Sequence, residues 1–240
     1  MWVIWLGGLS LAHGQEAPAI LRQADSLFAQ GQYGPAMQQY AKVFEENQQY
    51  TPAMLLKLAL LHERNQEYSY TLYYLNAYFL KTGDRAALTK ASDLAEQYEL
   101  EGYERSDWAY FRSLAYRWLP QIQGALMALL ALWLILMVYV KLVRKQKLRA
   151  LPLGTMVFGG LLALVLNMSF YHTVIIAQDQ TIMRENPSAA AEVVNVWSKG
   201  HRLSLLDRED VWWKVRDNQG NTGYVRAAQV LAVQDQPQSY

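Results

Sequence analysis

The chain has 240 residues, a formal net charge of +1 and no cysteine. A chain this close to neutral lacks the basic footprint that nucleic-acid binding needs. Without cysteine there can be no disulfide staple, lipoprotein anchor, thiol nucleophile or thiolate metal site.

The first residues, Met1-Trp-Val-Ile-Trp-Leu-Gly-Gly-Leu-Ser-Leu-Ala12-His13-Gly14, carry an apolar stretch too short to span a bilayer, followed by a small-x-small pattern. This predicts a secretory signal peptide over 1–14, cut after Gly14. No Lys or Arg precedes the apolar part, so persistence as a short anchor is the alternative.

From 17 to 99 apolar residues recur at helical spacing, with few prolines. Two stretches superpose at a shift of 35: Ala24, Tyr33, Ala36, Tyr40 and Val43 align with Ala59, Tyr68, Thr71, Leu75 and Tyr78. The first copy has its turn at Gly31-Gln32; the second has Gln66 there. Ala24, Gly31, Tyr33, Ala36, Ala59 and Tyr68 thereby resemble the signature of the tetratricopeptide repeat, an all-α fold of stacked helix pairs. The resemblance implies a surface that receives peptides. The run Tyr68-Ser-Tyr70-Thr-Leu-Tyr73-Tyr74-Leu-Asn-Ala-Tyr78-Phe79 is read as interhelical packing, with a ligand box as its rival. Thr82-Gly83-Asp84 predicts a helix stop and an N-cap. The next helix carries Ala87, Leu88, Ala91, Leu94, Ala95 and Tyr98 on one face and is closed by Gly102. An amphipathic juxtamembrane helix is expected over 103–119, with Trp108, Phe111, Ala115 and Trp118 on one side.

Pro120–Val140 and Leu151–Tyr171 contain no charged residue. Each spans roughly 31 Å as a helix, about the thickness of a hydrocarbon core. A transmembrane hairpin is expected, because soluble core helices of this length usually show a polar face. The connector 141–150 holds Lys141, Arg144, Lys145, Lys147 and Arg149. Short basic loops stay in the cytoplasm, which places both flanking regions on the far side. Asn167 either bonds across the hairpin or sits at the outer interface. Gly124 with Ala128, and Gly159 with Ala163, are small pairs that could close the hairpin or receive a partner's helices.

From Gln178 the pattern changes to short strands and turns, the mark of a small all-β barrel over 178–233. Residues 234–240 read as a disordered tail. Met183-Arg184-Glu-Asn-Pro187-Ser188, Lys199-Gly200, Trp212-Trp213-Lys214-Val215, Gly220 and Gly223-Tyr224-Val225 together resemble the bacterial SH3 (SH3b) family. Gly200, Gly220 and Gly223 are expected where the chain reverses or backbones approach closely. Strand alternation sends one of Trp212 and Trp213 inward and the other outward. The resemblance implies recognition of cell-wall peptides or proline-containing ligands, with Arg184, Trp212, Trp213 and Tyr224 as candidate ligand contacts. The alternative is that most of these aromatics fill the core of a small barrel.

His13, His62, His172 and His201 are not at metal-ligand spacing, and no phosphate loop appears. The carboxylates around Asp207 read as a solvated turn. No cofactor, no metal and no enzymatic activity are therefore expected. The order signal peptide, helical repeats, two spans and SH3b resembles the BatE-type membrane proteins of the bacterial aerotolerance (Bat) operon. That resemblance implies a non-enzymatic inner-membrane adaptor, with both soluble regions periplasmic and other Bat-type envelope proteins as partners. A peptidoglycan-binding sensor or anchor is the alternative.

Overall fold

The computed structural model describes residues 13–47, 50–103, 107–143, 151–166 and 172–233. They fall into two compact units. Residues up to 103 pack with those from 172 onward, and residues 107–166 stand as the second unit.

The first unit begins with helices α1 (His13–Ala29), α2 (Tyr33–Asn47), α3 (Pro52–Arg64), α4 (Tyr68–Thr82) and α5 (Arg85–Gln97). α1 packs on α2 and α3 on α4, giving successive helix pairs, and α5 packs on α4. Ala24 and Ala36 are fully buried, as close helix approach requires. The tight turns match at the sequence shift of 35: Gly31 has a φ of +74°, and Gln66 holds +61° at the equivalent place. Glycine adopts that region freely, whereas a residue with a Cβ is strained there by about 1 kcal/mol. Thr51 caps α3 through the Met54 N–H, and Asp84 caps α5 through the Ala86 N–H. Asp25 ties α1 to its neighbours: its Oδ1 accepts from Tyr40 Oη at 2.5 Å and from Lys57 Nζ at 2.7 Å. Burial pushes the Asp25 carboxyl up, but the hydrogen bonds from Lys57 and Tyr40 hold it below its ordinary value.

After residue 172 come β1 (Thr173–Ile176), β2 (Thr181–Arg184), β3 (Val193–Trp197), β4 (Arg202–Glu209), β5 (Trp212–Arg216), β6 (Thr222–Arg226) and β7 (Val230–Val233). They form one seven-stranded antiparallel sheet in the order β3-β2-β6-β5-β4-β1-β7. Its core is Val174, Ile176, Met183, Trp197, Leu203, Leu205, Trp213, Val215, Val225 and Val230. β1 precedes the point where the sequence reading begins the barrel. Its four residues are buried on both faces, so they show no alternation and read as the tail of an apolar run. One face carries Val174 and Ile176 into the barrel core. The other carries Thr173 and Ile175 toward α4, which packs on β1 and β7.

That second cover explains the Tyr-rich helix. α4 buries Leu72, Tyr73, Tyr74, Leu75, Asn76, Ala77, Phe79 and Leu80, because helices lie on one side of it and the barrel on the other. Packing thus accounts for most of this run; Tyr70 is exposed and stacks on His62.

The second unit holds α6 (Asp107–Val143, 37 residues) and α7 (Leu151–Leu166, 16 residues). α6 is one continuous helix of about 55 Å, so the separate elements expected over 103–119 and 120–140 are joined through Pro120. Tyr103, read as the start of that helix, belongs to the first unit, where it is buried. Within α6, Gln121–Tyr139 is 19 residues long and apolar enough to cross a membrane. In α7 the apolar stretch Thr155–Val165 is shorter. The helices pack through Trp133 on Phe158, ring centroids 5.8 Å apart, and Thr155 Oγ1 donates to Met137 Sδ. Among the described residues, a Cβ built at Gly124, Gly159 or Gly160 meets nothing within 4 Å, so no close contact between α6 and α7 is made at these glycines there. Residues 1–12 of the expected leader, Arg144, Lys145, Lys147 and Arg149 of the basic connector, Asn167 and the tail 234–240 lie outside the described residues. So do the side chains of Trp108, Phe111 and Ala115, while Lys141 is placed in α6 by its backbone.

Candidate functional site

Strands β5 and β6 pair in the register Trp212↔Arg226, Lys214↔Tyr224 and Arg216↔Thr222. Alternation sends Trp213, Val215 and Val225 into the core. Trp212, Lys214, Arg216, Thr222, Tyr224 and Arg226 therefore share the outer face. β2 adds Arg184, which pairs with Tyr224. β4 borders the face with Asp207 opposite Lys214 and Glu209 opposite Trp212.

Cations and rings alternate on this surface. The Arg226 guanidinium lies 5.4 Å from the Trp212 ring centroid, and Lys214 Nζ lies 5.7 Å from that of Tyr224. Such contacts are attractive because the ring face is electronegative. Arg184 Nη1 donates to the Ala191 carbonyl at 2.6 Å and so holds the 185–191 loop against β2.

The structure brings Arg184, Trp212 and Tyr224 of the expected contacts onto one face. Trp213 is not among them: it is 5 % exposed in the core, beneath Arg208. Gly223 marks a close approach, since a Cβ there would lie 2.8 Å from the Arg184 carbonyl oxygen. Gly220 closes a turn organised by Asp217, a residue the sequence reading passed over. The buried Asp217 carboxylate accepts from the Gln219 and Asn221 N–H groups at 2.9 and 2.8 Å and from Asn221 Nδ2 at 2.9 Å. Lys214 and Arg226 were legible, because they follow from the Trp212 and Tyr224 alternation.

A second constellation joins the barrel to the helices. Arg202, at the start of β4, donates from Nη1 to Asn76 Oδ1 at 3.2 Å and from Nε to the Gly102 carbonyl at 2.6 Å. Its N–H donates to the Glu101 carbonyl, and its guanidinium lies 4.6 Å from the Tyr103 ring centroid. Tyr103 Oη donates to the Gly200 carbonyl at 2.8 Å, and the Glu101 N–H donates to His201 Nδ1 at 3.1 Å. Asn76 is 0 % exposed and also donates to the Leu72 carbonyl at 2.7 Å. Gly102 has a φ of +93°, and a Cβ there would run into the Arg202 carbonyl. Gly200 does more than turn the chain, since the Leu100 side chain lies on it. The one sequence signal was Asn76, a lone amide among Tyr, Leu and Ala.

Burial lowers His201 below its ordinary value of 6.5 against the pull of the Glu101 carboxylate. Burial likewise lowers His62, held between Tyr70 and Tyr74, although Glu67 lies 2.6 Å from its Nδ1. Neutral His201 suits the joint, because Nδ1 must keep a lone pair to accept from Glu101.

Residues 179–231 match the bacterial SH3 domain family. No curated protein matches the chain.

Proposed function

We propose that this bacterial SH3 domain and its helical companion form one binding head, carried by a membrane hairpin as a non-enzymatic adaptor of the bacterial cell envelope. The observation that carries the reading is the Arg202–Asn76–Gly102 joint. It docks residues from before the apolar unit against residues from after it. A chain that leaves a folded head through α6 and returns to the same head must end on the side where it started. If Gln121–Tyr139 crosses the bilayer, the segment beginning with α7 recrosses it. The basic residues of 141–150 then favour a cytoplasmic connector and a periplasmic head. The inner membrane is the corresponding location. The helix pairs, in the manner of tetratricopeptide repeats, and the barrel would act together, since tethering raises the effective concentration of weak contacts. The order of parts supports a place beside Bat-type envelope proteins.

The test is a photo-crosslinking residue in place of Thr222, on the outer face, in cells expressing the full chain. It should capture an envelope protein, and a reporter active only in the cytoplasm, fused after Val233, should stay silent. A fluorescent reporter, or crosslinking to cytoplasmic proteins alone, overturns the proposal. The second reading, a peptidoglycan-binding sensor or anchor, draws on the family match and the outward Trp212 and Tyr224. It requires the detergent-solubilised chain to sediment with purified sacculi and Trp212→Ala to abolish this.

A further inference from the structure

The chemistry of the outer barrel face narrows what it can hold. We propose that the surface formed by Arg184, Trp212, Lys214, Tyr224 and Arg226 receives an acidic, extended segment of a partner protein. This deepens the adaptor reading and rests on it.

Each ring already carries a cation over one face. Arg226 covers Trp212, and Lys214 covers Tyr224. A sugar ring stacking on that face must first displace the cation and forfeit its contact. A carboxylate need displace nothing. A guanidinium lying against an indole keeps its edge N–H donors pointing away, and a lysine ammonium has three donors to share. Charge-assisted bonds to carboxylate are the strongest these groups form.

The distribution of charge agrees. Arg184, Lys214, Arg216 and Arg226 come from three neighbouring strands to one face. Within the described residues none of them is ion-paired with a carboxylate. The acids nearest in the sheet stand at its borders: Asp207 and Glu209 on β4, and Glu185 and Glu192 where β2 and β3 part. The centre is therefore cationic and the margins acidic, which also sets the register of a bound acidic segment by repulsion. Successive side chains on one side of an extended strand are about 7 Å apart. Lys214 and the Trp212–Arg226 pair stand at that same two-residue interval along β5. Carboxylates at alternate positions of an extended segment match it.

The experiment uses the full chain in detergent micelles and fluorescently labelled decapeptides, one alternating Glu–Ala and one alternating Lys–Ala, with chitotetraose as competitor. The Glu–Ala peptide should bind at least about tenfold more tightly than the Lys–Ala peptide, and its affinity should fall with salt. The double variant Lys214→Gln with Arg226→Gln should lose about tenfold or more of that affinity. Lys90→Gln, on α5 beside Glu63, should leave it unchanged. Chitotetraose should not compete. The proposal is overturned by equal binding of the two peptides, by an unaffected double variant, or by competition from chitotetraose. Peptide charge and salt dependence are read on the unaltered chain, so they decide the matter even if the double variant misfolds. Crosslinking at Thr222 without acidic-peptide binding removes this inference alone; loss of both removes the adaptor reading as well.

Discussion

α4 and α6 are both helices with apolar residues on nearly every side, and they meet opposite ends. α4 is covered twice, by its helical neighbours and by β1 and β7. α6 and its partner leave large apolar side chains bare, with Leu132 63 %, Ile135 64 % and Met156 77 % exposed. Exposed apolar residues clustered in this way mark a surface that another protein or a membrane covers. The two helices differ in their polar atoms. α4 keeps Asn76, Ser69 and Thr71 buried; Asn76 donates to the Leu72 carbonyl and Thr71 to that of Glu67, just before the helix, while Asn76 also receives Arg202. Gln121–Tyr139 has no charge to place. An all-round apolar helix whose internal amide meets a protein partner has a protein cover, whereas α6, with Gln121 and Gln123 at the start of its apolar segment and no polar residue between Gly124 and Trp133, is long and apolar enough there to cross a membrane.

The largest test of that contrast is Arg202→Ala. It strands the Asn76 Oδ1 atom in the joint and removes the bond to Gly102, at a cost of about 3 kcal/mol. Thermal unfolding should show the barrel separating from the helices, with new protease cuts near 100–103. Unchanged cooperativity would mean that the joint does not couple them. On the bare helix, Leu132→Arg should disfavour membrane insertion by about 3 kcal/mol without changing the unfolding of the head. Carbonate extraction of membranes reads this; a variant that stays fully embedded would count against a spanning α6. Asp217→Ala is the control inside the barrel. It removes the acceptor of three N–H groups and should cost about 2 kcal/mol, with the joint intact. A near-native melting temperature would show that water replaces the carboxylate.

The smallest effect is a slope with pH. His62 and His201 both sit below 6.5 because of burial. As pH falls through 6.5 the unfolded chain takes up protons before the folded one, so stability present above that value is lost toward the lowered folded values. His201→Gln, whose side-chain oxygen can still accept from Glu101, should flatten the His201 part of this slope. A melting temperature independent of pH across 6.5 would contradict both assignments.

Much of the site was legible because strands alternate. Once Trp212 and Lys214 share a face, the antiparallel partner places Tyr224 and Arg226 on it as well. Which face was core was not legible, because Trp213 and Trp212 are equally apolar; only the packing of Trp213 on Val215 and Val225 decides it. β1 was missed because a strand covered on both sides has no alternation to read. The joint was missed because Arg202 and Asn76 are more than a hundred residues apart, and no local pattern encodes a contact at that distance.

By itself the sequence determined the local periods: helical spacing over 17–99, an uninterrupted apolar stretch in α6, and period-two strands with glycine turns after 178. These are set by backbone geometry and by the segregation of apolar from polar side chains, which act within a few residues. Only the tertiary structure decided that the helices and the barrel, which stand on either side of the apolar segments in the sequence, are one body. That depends on Arg202 finding Asn76, Gly102 and Tyr103, and the folded chain alone brings those groups within bonding distance.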